Sequence, residues 1–212
     1  KSQPGRKQWR ANLLLVGEAG VGKTSLLRAL QGESFKVQEE AMPSTAMSTW
    51  LLKPPNQTKV TLHLKTWDFG SPVSYHLAHQ LGLIHRAVVL LVWNAGGGYE
   101  TGQLYSWLNL IQARSPHAIV LLVATHSDEC EVIVLPLADL KRKYPQLVGS
   151  YKVSNKTGNG IEMVKQVIAE EAAKLPFMGE IWPSHWLAAT NVIGDTANPY
   201  LTFQQLQAVM AS

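Results

Sequence analysis

Cysteine is almost absent from this sequence. Its single thiol, Cys130, has no partner for an internal disulfide, which excludes a disulfide-stapled secreted scaffold and points to a reducing, cytoplasmic setting. Long hydrophobic runs are also missing: the longest, residues 87–93 and 118–124, are strand-sized, well short of the ~20 residues of a membrane helix. The opening residues lack the charge-then-apolar layout of a signal peptide. No strong excess of one charge exists, with 19 Lys and Arg against 15 Asp and Glu, a net +4. The cations are scattered apart from Lys141, Arg142 and Lys143, a solvated helix face rather than the dense patch a nucleic-acid or anionic-membrane partner calls for.

What is present is ordinary globular material. A hydrophobic content of 46% is enough to build a core, and 212 residues hold one α/β domain of about 150–180 residues with some left over. The chain begins at Lys1 rather than methionine, so it is expected to be part of a longer protein. Apolar runs alternate with helical patterns, as in a parallel sheet covered on both faces. Strands are expected at residues 12–16, 49–52, 60–68, 87–94, 118–125 and 151–153, and helices at 25–30, 102–114, 137–144 and 161–175. The turn-forming KPPNQ makes the second and third strands an antiparallel hairpin. Leu104, Trp107, Leu108 and Ile111 share one helix face and read as core. The expected architecture is a six-stranded, mostly parallel sheet with helices on both sides.

The most specific signal is GEAGVGKT at residues 17–24, which fits G-x-x-x-x-G-K-[ST] between a strand and a helix. Gly17, Gly20 and Gly22 allow a tight curl that turns backbone N–H groups of Glu18, Ala19, Val21 and their neighbours toward phosphate oxygens. The helix opening at Lys23, Thr24 and Ser25 adds its positive dipole end. Lys23 would reach the β- and γ-phosphates, and the Thr24 hydroxyl would ligate Mg²⁺.

Base choice is expected at the carboxyl ends of later strands. One strand ends in Thr125-His126-Ser127-Asp128, where the Asp128 carboxylate can accept the paired N1–H and N2 amine donors of guanine; adenine lacks this pair. The next ends in Ser154-Asn155-Lys156, whose turn would bring a backbone N–H to the guanine O6. Asp128 read alone could equally be a cap at a strand–helix junction.

These motifs resemble the Ras-like P-loop G domains, and more narrowly the Roc domains of Roco proteins, in which Thr-His-x-Asp stands at the base-reading site and Trp-Asp, here Trp67-Asp68, at the third motif. The stretches VVLLVWNAGGG and WLNLIQARSPHAIVLLVATHSD look most like the Roc domain of leucine-rich-repeat kinases. EIWPSHWLAATNVI followed by YLTFQQLQAVMAS looks like the opening of the COR segment that follows Roc. The resemblance covers nearly the whole chain and divides it into residues 1–176, the Roc domain, and residues 177–212, a linker with the start of COR as a helical extension. It implies a GTP/GDP switch with Mg²⁺ held by Thr24, by Asp68 through water, and by a switch hydroxyl, chosen as Thr45 with Ser44 and Thr49 as alternatives. Phe69, Gly70 and Ser71 would sense the γ-phosphate, and Lys23 and Thr45 would act in hydrolysis. It further implies an adjoining COR domain that dimerises, and leaves open whether a kinase domain follows.

One departure bears on rate. Pro72 stands where Ras-like enzymes carry a water-positioning glutamine, and proline has neither a side-chain amide nor an N–H. Arg86, His76 and His79 are the candidates to substitute for it. The expected activity is slow GTP hydrolysis coupled to signalling. The rival readings are a nucleotide-binding scaffold without turnover, an ATP-using P-loop enzyme, and a dimerisation module suggested by the tail, whose apolar Phe177, Ile181, Trp182, Trp186 and Leu187 are expected to pack back on the G domain or on a partner surface.

Overall fold

The computed structural model describes residues 5–35, 46–55, 59–69, 86–97, 103–130 and 135–183, with residues 203, 204 and 207. The backbone groups into two units, residues 10–176 and a second formed by residues 1–9 with residues 177–212.

Within the second unit, β1 (Arg6–Gln8) pairs antiparallel with β8 (Glu180–Trp182), Lys7 lying opposite Ile181. The Gly179 N–H donates to the Gln8 carbonyl at 2.7 Å and continues the ladder. This pairing has no trace in the periodicity of either three-residue segment. Phe177 and Ile181, two of the apolar residues expected to pack back on the G domain or on a partner surface, are 58% and 65% exposed. Residues 186 and 187 lie outside the described residues.

The larger unit is built on β2 (Arg10–Val16), β3 (Ala46–Leu52), β4 (Leu62–Asp68), β5 (Ala87–Asn94), β6 (Ile119–Thr125) and β7 (Leu147–Lys152). They form a six-stranded sheet in the order β3-β4-β2-β5-β6-β7. Only β3 runs antiparallel, paired with β4 as the short connection requires. The other neighbours are parallel and need crossovers. The apolar runs at β5 and β6 are buried on both faces, as central parallel strands must be.

Helices α1 (Lys23–Leu30), α2 (Leu104–Arg114), α3 (Leu137–Lys143) and α4 (Ile161–Ala173) cover the sheet. Side chains alternate along β2, so Leu14 and Val16 join Val89, Leu91 and Trp93 under α2 and α3. Trp107, Leu108 and Ile111 of α2, with Leu140 and Tyr144 at the end of α3, close that core. α1 and α4 pack together on the opposite face. The core stripe read from α2 is thus borne out: Leu104, Trp107, Leu108 and Ile111 are all buried.

The main departure among the elements is β7. It spans Leu147–Lys152 rather than residues 151–153, because Gly149 and Ser150 weaken an apolar pattern that pairing with β6 nevertheless extends. Among the described residues, no helix is long and apolar enough to cross a membrane.

Candidate functional site

Parallel strands deliver their carboxyl ends to one edge of the sheet, and the motif residues gather there. The loop after β2 enters α1 through glycines with positive φ, Gly17 at 138°, Gly20 at 74° and Gly22 at 86°. Gly17 also packs tightly, since a Cβ there would lie 2.1 Å from the Val92 carbonyl oxygen. Only glycine meets both demands. The Lys23 ammonium is held over this loop by the carbonyls of Gly17 at 3.0 Å and Glu18 at 2.7 Å. Lys23 is 5% exposed. Burial pushes its pKa below the usual lysine value, against the opposing fields of Asp68 and Glu18. A phosphate in the loop would add a further counter-charge beside those of Asp68 and Glu18.

Asp68 ends β4 beside this loop, and the Thr24 hydroxyl donates to its Oδ2. Its other oxygen, Oδ1, is buried without a hydrogen-bond partner among the described residues. An orphaned carboxylate oxygen next to a hydroxyl is a donor set suited to a hard dication such as Mg²⁺. Among the described residues, no three His, Cys, Asp or Glu side chains gather as a metal cage, so Mg²⁺ here would draw its remaining ligands from phosphate and water. Trp67 fixes the strand end: its indole donates to Asn12 Oδ1 at 3.2 Å, and its ring lies nearly parallel to Phe69 at 6.3 Å.

The base-reading candidates converge from β6 and β7. Thr125 is fully buried and its hydroxyl bonds the Val21 carbonyl at 2.7 Å. Asn155 Nδ2 donates to the Gly22 carbonyl at 3.1 Å. A Cβ built on Gly22 would lie 3.1 Å from Asn155 Nδ2 and 3.5 Å from the His126 ring, which puts three separate motifs within one contact shell. His126 turns the chain in a left-handed conformation, φ 58°, with Nδ1 3.0 Å from the Thr125 hydroxyl. Ser127 N–H donates to the Val153 carbonyl and ties the two turns together. Asp128 is left exposed at this corner. Its carboxyl is held below the ordinary aspartate range, first by the Ser154 hydroxyl and further by Lys156 and His126. The Ser154 Oγ also accepts the Thr157 N–H at 3.0 Å and shapes the turn that carries Asn155 and Lys156.

Of the remaining sequence candidates, Glu18, Ala19, Gly20, Val21 and Ser25 lie in the loop and the first turn of α1. Thr45, Ser44, Gly70, Ser71, Pro72, His76 and His79 fall outside the described residues. Thr49 pairs with Lys65, whereas Ala46 faces Asp68, so Thr49 stands about 10 Å along the strand from the carboxylate. Arg86 is a correction. It precedes β5 and its carbonyl accepts the Asn12 N–H, which places it at the amino edge of the sheet, opposite the phosphate loop. The phosphate loop meets β5 at Val92, six residues or about 20 Å along the strand from Arg86, too far for an arginine side chain to position water there. Sequence reasoning missed one contact: the Trp107 indole of α2 donates to Glu18 Oε1 at 3.0 Å. Trp107 read only as core, and nothing in its spacing marks the polar edge.

With this geometry in place, comparison with known proteins is informative. Residues 12–128 match the family described as Ras of Complex, Roc, domain of DAPkinase. The chain is 31% identical over 152 residues to leucine-rich repeat serine/threonine-protein kinase 1 of Mus musculus, covering 69% of this chain and 8% of that protein. It is 24% identical over 210 residues to the probable serine/threonine-protein kinase pats1 of Dictyostelium discoideum, covering 88% of this chain and 7% of the relative. It therefore spans less than a tenth of the length of these relatives. Among solved structures it resembles Methanosarcina barkeri Roco2 RocCORdC bound to GDP, with a TM-score of 0.85 and 27% identity over all of this chain and 64% of that one.

Proposed function

The chain belongs to the Roc family, with a Ras-like G-domain fold, and on that premise we propose that it is a guanine-nucleotide switch that binds GTP and GDP with Mg²⁺ and hydrolyses GTP slowly. The observation that carries the reading is the convergence at Gly22. The phosphate loop, the Thr125–Asp128 corner and the Ser154–Lys156 turn meet there through side-chain and backbone hydrogen bonds. A ligand spanning them has a polyphosphate at one end and a base with adjacent donors at the other.

In this reading the loop N–H groups and Lys23 bind the phosphates, and burial of Lys23 removes water that would compete for its charge. Asp128 accepts from guanine, and the Asn155 N–H faces O6. Thr24 and Asp68, with Thr45 from the switch, hold Mg²⁺, which when bound neutralises phosphate charge. Gly70 and Ser71 read the γ-phosphate, and its loss rearranges residues 33–49 and 69–86 to signal to adjoining domains. Residues 1–176 are assigned to the Roc domain and residues 177–212 to a linker with the start of COR. A cytoplasmic setting and dimerisation through an adjoining COR domain complete the proposal. The M. barkeri Roco2 structure bound to GDP supports guanine as the base.

Pro72 favours a second reading, a binding-only switch, because it can position no water. Single-turnover GTP hydrolysis on wild type and Lys23→Ala, with GTP and GDP affinities in the same preparation, separates the two. Slow turnover lost in Lys23→Ala supports the GTPase; tight guanine binding without turnover above the variant supports the scaffold; no guanine binding rejects both.

A further inference from the structure

The phosphate loop carries an acid in its second position, an awkward residue for a site that receives several negative charges. Glu18 belongs to the cradle by its backbone, since its carbonyl accepts from Lys23 Nζ at 2.7 Å. Its carboxylate is taken elsewhere: Oε1 receives the Trp107 indole hydrogen at 3.0 Å. Trp107 is a rigid anchor, 3% exposed in a core that also holds Phe69, Leu104 and Leu108.

From this geometry, and resting on the nucleotide reading above, we infer that Trp107 is a positioning residue that holds the Glu18 carboxylate out of the phosphate cradle. The physical case is electrostatic. A carboxylate turned toward the cradle would repel polyphosphate and compete with it for the Lys23 ammonium. An indole N–H can prevent this from an apolar helix face, because it is a donor only and its ring packs as core. The same bond joins α2 to the loop, so a displacement of Trp107 in the core is felt at the nucleotide.

The test uses the whole chain and three variants: Trp107→Phe, which keeps the ring and deletes the donor; Trp107→Phe with Glu18→Gln, which also deletes the charge; and Glu18→Asp, which withdraws the carboxylate from the indole without touching the core. Affinities for GTP and GDP are measured at low and high salt. Trp107→Phe and Glu18→Asp are expected to weaken GTP binding by about 5–20-fold, GDP binding less, with the loss fading as salt screens the charge. The double variant is expected to recover to within about 2-fold of wild type, since its packing defect remains but its charge is gone. A packing role alone predicts no rescue, equal losses for both nucleotides and no salt dependence, and any of these overturns the inference, as do single variants indistinguishable from wild type. If wild type itself binds no guanine nucleotide, the functional reading falls and this inference with it, whereas the other failures leave that reading standing.

Discussion

Thr24, in the first turn of α1, donates its hydroxyl hydrogen to the Asp68 carboxylate at the end of β4, and that carboxylate keeps a second oxygen buried and, among the described residues, unpartnered. Two elements far apart in sequence thus meet in a pair that is incomplete in hydrogen-bonding terms. Burying such an oxygen without a partner costs about 1–3 kcal/mol, which a bound dication would recover.

The first prediction follows from that pair. Asp68→Asn should leave the fold intact while abolishing most of the effect of Mg²⁺ on nucleotide dissociation. In wild type, chelating the metal should accelerate GDP release by at least about 10-fold, on the scale of one charge-assisted contact. Stopped-flow release of a fluorescent GDP with and without chelator checks this, and equal acceleration in both proteins would refute it.

Asp128 should govern base choice. Its depressed pKa keeps it ionised, and so able only to accept, throughout the neutral range. Replacing it by Asn converts one acceptor into a donor, which should cost about 1–3 kcal/mol against guanine and favour a base with a carbonyl at C2. Competition between GDP and xanthosine diphosphate for the Asp128→Asn protein reads the reversal.

Gly17 and Gly20 should differ sharply in tolerance. A methyl group on Gly17 meets the Val92 carbonyl at 2.1 Å, so Gly17→Ala has to move the loop or β5 and is expected to cost more than about 3 kcal/mol. At Gly20 no described residue lies within 4 Å, and the left-handed backbone is what resists, about 1–2 kcal/mol. Urea denaturation of the two variants side by side separates steric from conformational cost.

Lys23 gives the pH dependence. Burial lowers its pKa in the free protein, and bound phosphate would raise it again. Affinity is therefore complete below the free-state pKa and is lost as pH rises through it, a window below the ordinary value of 10.5. Guanine N1–H also titrates on the alkaline side, so Lys23→Arg, which stays charged, is the reference. Wild-type GDP affinity should begin to fall at lower pH than that of Lys23→Arg.

Much of this was legible in the sequence because its determinants are local. The GEAGVGKT loop, the apolar runs of β5 and β6 and the α2 stripe each announce themselves within a dozen residues. The contacts that organise the site are not local. Trp107 to Glu18 and Asn155 to Gly22 join residues 89 and 133 positions apart, and neither partner is unusual where it stands. Arg86 misled for the opposite reason: it is near the switch motif in sequence, but a parallel strand carries its start to the wrong edge. The β1–β8 pair was invisible because three-residue strands have no period to detect.

That last pair has a consequence for how the molecule can be handled. Strands that enter and leave side by side make residues 10–176 a cassette, flanked by two halves of one ribbon. Cutting the chain just before residue 10 would strip β8 of its only ladder partner among the described residues and expose a raw strand edge at the far end of the fragment. For expression, domain grafting or permutation, the natural seams are therefore outside residue 6 and beyond residue 182, where either cut leaves both halves of the ribbon in place.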